Sequence, residues 1–457
     1  MNSPSTAGGR VLPPLPTTMP AAYVPAPGSI VEHTTSSGLR IVALRRPSVP
    51  VVELRLAVPF GGDGSAHAAT ADLLAAVLIG STDRRDRASC EAELGLAGGS
   101  LRATVTPDRL TVRGAVAADG LGQALRVLGD VLDDSRRPED EVLSQRTRLT
   151  HRLRMYRAQP RTAAREALLE QCFPGHPLTR EVPLPEAVAT VDSAQVAALH
   201  ANALVPTGSR LVMVGDLDPA ASVVAAEHAL DGWSAVRAAV PMRDMPAPAP
   251  GLAVKGRRGG RQSQVQLLAP APGAHDPRHP AARLASLILS GSMGSRLLAR
   301  LRERDGLTYV VRASITDWPG GGLLALDFDT SPAHLAAALA AIREELDRFA
   351  TDAPPDDDEI AATRNYRTGW MAITLASQSG TADVLHRLPP ATRHADWLAA
   401  QPELIRQTSD SEVRSAAQGM ASACFGGVVL TGPAGVGQAV QEVEAAGFRS
   451  AVPARAR

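Results

Sequence analysis

The sequence predicts an α+β fold made of two similar domains in tandem. Three observations carry that reading. Short strands with alternating apolar positions are interleaved with helices through most of the 457 residues. The order of these elements repeats about halfway along the chain. Landmarks recur at a near-constant offset: Gly80 to Gly291 is 211 residues, Pro107 to Pro319 is 212, and Gly215 to Gly432 is 217. A small insertion accounts for the drift, so a duplication explains the pattern.

The elements of the first half can be justified in order. IVEHTTSSGLRIVALRRP reads as two strands around Ser36-Ser37-Gly38. In Val51 to Phe60, the residues Val52, Leu54, Leu56 and Val58 share one face, as in a half-buried strand. A short apolar helix over Ala71–Ile79 follows, then a second over Arg87–Leu96. SLRATVTPDRLTVRGAV is a hairpin turning at Pro107-Asp108. Helices are expected over about 120–134, 138–157 and 160–173. Asp192 can cap the helix SAQVAALHAN, and the strand RLVMVGDLDP leads into a helix ending near Trp233.

The second half repeats this order. QVQLLAP is a strand and PAARLASLILSG a helix ending at Gly291. SRLLARLRERDG is a second helix, with Gly306 as its left-handed cap. LTYVVRASITDWPGGGLLALDFDT is a hairpin through Pro319-Gly320. SPAHLAAALAAIREELDRFA is a helix capped by Ser331 with Pro332 in its first turn, and VVLTGP mirrors LVMVGD. The resulting division is a disordered lead-in over 1–28, a domain over 29–241, a linker over 242–260, a domain over 261–445 and a tail over 446–457.

Composition narrows the function. Hydrophobic residues are 44% and charged residues 21% of the chain, an ordinary globular balance. Lys plus Arg number 47, as do Asp plus Glu, which argues against a dedicated nucleic-acid or anionic-membrane surface. No run of 18 apolar residues is present, so no membrane span is expected. Cys90, Cys172 and Cys424 are far apart, without metal-type spacing, and read as reduced thiols of a cytoplasmic protein. The Pro-, Ala-, Ser- and Thr-rich start lacks the charged and apolar regions of a signal peptide.

Six stretches, in this order and spacing, resemble the pitrilysin/insulinase family of zinc peptidases. They are GLRIVAL, LAGGSLRATVTPDRLTV, RLRMYRAQP, CFPGHPLTREVPLPEAVATV, LVPTGSRLVMVGDLD and LSGSMGSRLLARLRERDGLTYVV. The likeness runs from about Gly38 to Gly437. It implies two homologous domains, each a mostly antiparallel sheet flanked by helices, forming half of a clamshell. Short bacterial members pair as homodimers or heterodimers around a peptide.

The family's metal motif is HxxEH on the first helix. Two histidines one turn apart hold zinc, and the glutamate between them serves as general base. A glutamate about 77 residues beyond the second histidine completes the ligands. Anchored on Gly80, the motif falls on Ala71-Asp72-Leu73-Leu74-Ala75. Both histidine positions, Ala71 and Ala75, are alanine, the base position is Leu74, and the third ligand position is Arg152. His67 taken as first ligand would put Thr70 and Ala71 at the next positions, which fails as well. His67 is expected on a helix start or loop, and Asp72 as an exposed helix acid without a partner. No zinc is expected in this chain.

The second domain departs from this loss. The family places an arginine and a tyrosine, seven residues apart, so that both reach substrate across the closed clamshell. LRERDGLTY puts them at Arg302 and Tyr309. Arg302 near a helix end, Gly306 turning the chain and Tyr309 starting a strand would aim both tips into one cavity. The resemblance implies that they hydrogen-bond the scissile carbonyl and steady its developing charge. Read as residues alone, Arg302 is one more solvated arginine beside Arg296, Arg300 and Arg304, and Tyr309 a half-buried strand residue.

GSMGS and GVGQ lack a phosphate loop's lysine, and no GxSxG turn is present. The expected function is therefore the metal-free subunit of a heterodimeric zinc peptidase. Its partner would be a homologous HxxEH subunit carrying the zinc, its substrate a peptide added to a sheet edge. Two alternatives remain: a homodimeric peptide-binding pseudo-peptidase and a structural scaffold.

Overall fold

The computed structural model describes residues 25–26, 28–82, 85–134, 137–234, 238–388 and 392–451. The expected lead-in over 1–28 lies almost wholly outside the described residues. The first half runs β1 (Ile30–Thr34), β2 (Arg40–Arg45), β3 (Val51–Pro59), α1 (Gly64–Leu78), α2 (Arg87–Leu96), β4 (Ser100–Thr106) and β5 (Arg109–Ala117). It continues with α3 (Leu121–Asp133), α4 (Glu139–Arg157), α5 (Pro160–Cys172), α6 (Pro185–Ala189), α7 (Ser193–Ala203), β6 (Arg210–Gly215) and α8 (Pro219–Ala229).

The second half runs β7 (Gly251–Gly256), β8 (Ser263–Ala271), α9 (His279–Ser290), α10 (Arg296–Leu298), β9 (Val311–Trp318), β10 (Gly321–Thr330) and α11 (Leu335–Ala350). Then come α12 (Asp357–Ala376), α13 (Gln378–Leu385), α14 (His394–Gln407), α15 (Asp410–Ala421), β11 (Gly426–Thr431) and α16 (Val436–Ala445). Local chemistry explains several boundaries. The Asp192 carboxylate accepts from the Gln195 N–H while the Gln195 side chain accepts from the Asp192 N–H, a full capping box. Gly306 sits at φ +61°, the left-handed conformation in which a side chain would be strained.

The two sheets carry the duplication. The first has strand order β1-β2-β6-β3-β5-β4 and the second β7-β11-β8-β10-β9. Without β1 the orders are the same. Each contains one parallel pair, β2 with β6 and β7 with β11, in an otherwise antiparallel sheet. The fold is thus α+β with two matching sheets, each flanked by helices.

The central strands are buried on both faces, and the two faces meet different partners. Ile41 and Ala43 of β2, with Leu211 and Met213 of β6, face the core under α1, α3, α7 and α8. The alternate residues Val42, Leu44, Val212 and Val214 pack against Met371, Leu375, Leu385 and Leu398 from α12, α13 and α14. The second sheet does the converse. Its outer residues Leu268, Leu323, Val428 and Leu430 meet Leu168, Cys172 and Phe173 of the α5 region. Each half therefore lends helices to the other's sheet.

Four expectations are corrected. The linker over 242–260 includes β7, because its LAVKG run pairs in parallel with Gly426–Thr431. The tail over 446–457 is not all tail: Phe448 is buried edge-on to Phe425, and Leu252 donates to the Arg449 carbonyl. The helix expected from Ala71 begins at Gly64, so His67 lies in its first turn. Ser331 precedes a short 3-10 turn, Pro332–His334, ahead of α11, and its side chain makes no capping bond. The helices α12 to α15 lie in a stretch to which the sequence reading gave no elements.

Candidate functional site

Helices α1 and α4 carry the degenerate metal-site positions, and the segment between α10 and β9 carries Arg302 and Tyr309. In α1, Ala71, Leu74 and Ala75 are all buried in the first core. An alanine methyl and a leucine side chain offer a metal no lone pair. Arg152 lies on α4, exposed, and its charge reaches Asp72 across the α1–α4 contact. So the four positions are neighbours in space, yet they present three apolar groups and a cation. That set does not fit zinc. Among the described residues, no group of three or more His, Cys, Asp or Glu side chains is gathered as a metal would need.

One group here escaped the sequence reading. Asp72 is half-buried and lines a small pocket with His67, Thr106, Arg180 and Glu181. Burial raises its carboxyl to about 7, with Arg152 opposing the rise. The expected free helix acid is therefore a desolvated one. Its position one residue after Ala71 on a buried helix was the available signal. His67 stacks near Phe60 with ring centroids 5.5 Å apart, and burial lowers its pKa.

Arg302 and Tyr309 are brought together. After α10 the chain enters a π-turn, Ala299–Arg304, which ends at Asp305 before the Gly306 bend. Leu301 is fully buried beneath the turn, and its carbonyl accepts the Leu307 N–H at 2.7 Å. The Thr308 hydroxyl donates to the Asp329 carbonyl at 2.6 Å, and the Thr330 hydroxyl to the Leu307 carbonyl at 2.7 Å. These bonds pin the loop to the end of β10. On it Tyr309 stands 76% exposed, two residues before β9 and not on the strand as expected. The Arg302 guanidinium lies over the Tyr309 ring, 4.6 Å from its centroid.

Arg304 is exposed as expected, but Arg296 and Arg300 are only partly exposed and occupied elsewhere, which corrects the expectation that they are surface groups. Arg296 bonds Glu359 at 2.8 Å and stacks on Phe349. Arg300 bonds Asp305 at 2.7 Å and Glu344 at 2.8 Å. Arg302 meets only the adjacent Glu303 at 3.3 Å, an exposed pair worth little. Neither Arg302 nor Tyr309 lines the cavity of about 1170 Å³ that Arg210, Trp318 and Leu388 border. The pair is on open surface.

Comparison with known proteins now decides the family. The model described as insulinase (peptidase family M16) matches residues 40–186, and that described as the peptidase M16 inactive domain matches residues 190–366. This chain belongs to the insulinase family, M16. A Mycobacterium tuberculosis protein described as an uncharacterized zinc protease is 25% identical over 414 residues, covering 88% of this chain and 93% of the relative. A Streptomyces coelicolor protein of the same description is 25% identical over 429 residues, covering 84% and 90%. A protease from Helicobacter pylori superposes with TM-score 0.78 at 15% identity, covering 90% of this chain and all of that one. A peptidase M16 inactive domain from Pseudomonas fluorescens superposes at 0.74 with 18% identity, covering 88% and 97%. Ala71, Leu74 and Ala75, where the register anchored on Gly80 sets HxxEH, carry no metal donor. No described helix is long and apolar enough to cross a membrane.

Proposed function

We propose that this chain is the metal-free subunit of a two-chain M16 peptidase. The observation that carries the proposal is a contrast between the halves. Ala71, Leu74 and Ala75 are core, while the half-buried Arg302 stacks on Tyr309, which stands exposed on a pinned loop. A partner subunit bearing HxxEH would supply the zinc, which polarises a peptide carbonyl and activates water. Arg302 and Tyr309 would donate to the oxygen of that carbonyl and hold its developing negative charge. Their exposure suits the role, since the substrate would lie between the two chains. The relatives described as zinc proteases support the zinc chemistry.

The test is a pull-down of the tagged chain from its native host, with mass spectrometry and metal analysis of the captured complex. An equimolar homologue with HxxEH and one zinc per pair, active on peptides, is the expected result. A zinc-free homodimer without such a partner would overturn the proposal in favour of a peptide-binding pseudo-peptidase.

A further inference from the structure

Helix α12 shows solvent an uncharged stripe. Tyr366, Trp370 and Ile373 are 44%, 51% and 74% exposed, and the i, i+4, i+7 spacing puts them on one face. Ala362, Gly369 and Ala376 complete that face and are exposed as well. The opposite face, Ile360, Met371 and Leu375, is buried. A helix covered on one side normally turns charge to water on the other. Here both sides are apolar, and the chain covers only one.

A cation edges the stripe. Arg367 stacks over the Trp370 ring at 5.5 Å. Burial and the nearby Arg283 lower its pKa to about 10. Arg283 donates to the Ile315 carbonyl and has Asp317 near it, and Arg364 is paired with Asp410. Among the described residues no carboxylate pairs with Arg367. An apolar stripe beside an unmatched guanidinium suits an occupant with the converse chemistry.

The duplication says where the stripe faces. α12 packs on α9 as α4 packs on α1. Setting Asp357 against Glu139 gives an offset of 218, which places Trp370 at the counterpart of Arg152 (152 + 218 = 370). On α4 this face carries Arg148, His151 and Arg152, all exposed, and the charge of Arg152 reaches Asp72. The second half thus presents aromatic surface where the first presents its degenerate metal site. A second copy of this chain is a poor occupant, because a two-fold contact sets the patch against itself and none of the stripe's own residues carries a carboxylate for Arg367.

We infer that the α12 stripe binds an extended peptide through a large apolar side chain next to a carboxylate-bearing residue. This rests on reading the chain as half of a peptidase. Trp370 and Ile373 would take the apolar side chain, and Arg367 the carboxylate.

The test uses the full chain alone, without a metal-bearing partner. The probes are a fluorescein-labelled decapeptide with a central Phe-Glu step in an Ala-Ser background and its Phe-Gln counterpart. Fluorescence anisotropy gives Kd. Trp370→Ala and Ile373→Ser are expected to raise Kd for both probes about tenfold. Arg367→Gln is expected to bring the Phe-Glu probe to the affinity of the Phe-Gln probe and to leave the latter unchanged. Ile373 is exposed, so its substitution leaves the core intact. Absent binding by the wild-type chain, or equal Kd for all variants, overturns the inference. So does a change of sedimentation by the stripe variants at unchanged peptide affinity, which would assign the stripe to a second copy. The binding is read on the chain alone, so failure to find a zinc-bearing partner would sink the peptidase reading and leave the binding result standing.

Discussion

The Arg302 guanidinium sits 4.6 Å above the ring of Tyr309. The stack holds both polar tips on one short stretch of surface without tying up the phenol, which has no hydrogen-bond partner among the described residues. Neighbouring Arg296 and Arg300 are held by carboxylates of α11, α12 and the π-turn's own end. The sequence around Arg302 therefore spends its acids on other arginines.

Tyr309→Phe separates the hydroxyl from the stack. Phenylalanine keeps a ring beneath the guanidinium, so the loop and the assembly should persist. Only the phenolic donor is lost. Loss of one donor to a developing oxyanion is expected to lower kcat of the two-chain peptidase by about a hundredfold. Steady-state kinetics on the complex, with gel filtration as the assembly control, reads this. An unchanged kcat removes Tyr309 from the chemistry.

Leu74 is expected to behave as core and not as a degenerate catalytic position. It is fully buried among Leu73, Val77 and Leu78. Leu74→Ala should destabilise the chain by about 2–5 kcal/mol, as large-to-small core changes do. Leu74→Glu should cost more, since it buries a carboxylate without a partner. Urea unfolding monitored by circular dichroism measures both. A neutral Leu74→Glu would mean that the site still tolerates the acid its family places there.

Asp72 gives a pH signature. Its carboxyl titrates at about 7 when folded and near its ordinary 3.8 when unfolded. Between those values the folded chain binds the extra proton, so stability falls as pH rises from about 4 to about 7. The groups facing it are Arg152 from α4, His67 on its own helix, and Arg180 and Glu181 across the pocket. Half-exposure limits the slope to less than about 1.4 kcal/mol per pH unit. Asp72→Asn should remove this decline and stabilise the chain at pH 8. Urea midpoints of both proteins from pH 4 to pH 8 test it, and parallel curves would refute it.

Three buried histidines act in the opposite sense. His200, His386 and His394 titrate at about 4, held neutral chiefly by burial, against an ordinary 6.5. Arg137 faces the first, Arg387 and Arg113 the second, and Arg210 with Glu32 the third. The unfolded chain binds protons first, so stability should fall as pH drops from 6.5 towards 4, by up to about 1.4 kcal/mol per unit for each histidine. His394→Gln should flatten this limb. An unchanged acid limb in that variant would show that His394 is already charged when folded.

Much of this fold was legible in the sequence because its signals are local. The alternation of Val52, Leu54, Leu56 and Val58 marks β3, and the Pro107-Asp108 turn marks the β4–β5 hairpin. The shared offset of Gly80 with Gly291 anticipated the matching sheet orders. What escaped was non-local. β7 is short and Gly-bounded, and only its parallel partner β11 makes it a strand. The burial of Asp72 depends on α4 and the loop at Pro177, neither of which its own helix reveals. The exchange of helices between sheets has no sequence period at all. At the site, the spacing of Arg302 and Tyr309 pointed to a pair, but the π-turn that stacks them was invisible.

That exchange leads to the last expectation: the halves should not fold apart. The α5 residues Leu168, Cys172 and Phe173 cover the second sheet, while Met371, Leu375 and Leu385 cover the first. The Arg55 side chain, buried on β3, donates to Asp383 at 2.7 Å and Ser379 at 3.0 Å on α13. Separation would expose an apolar sheet face on each half and take Asp383 and Ser379 from Arg55, leaving it Glu53 alone as its acid. Residues 29–241 and 242–451 expressed separately should aggregate or remain partly unfolded, and should recover native circular dichroism when coexpressed. The intact chain should unfold in one transition in urea. Two separated transitions, or a well-dispersed NMR spectrum from either half alone, would show that the lent helices are dispensable, and that each sheet can close its core with the helices of its own half.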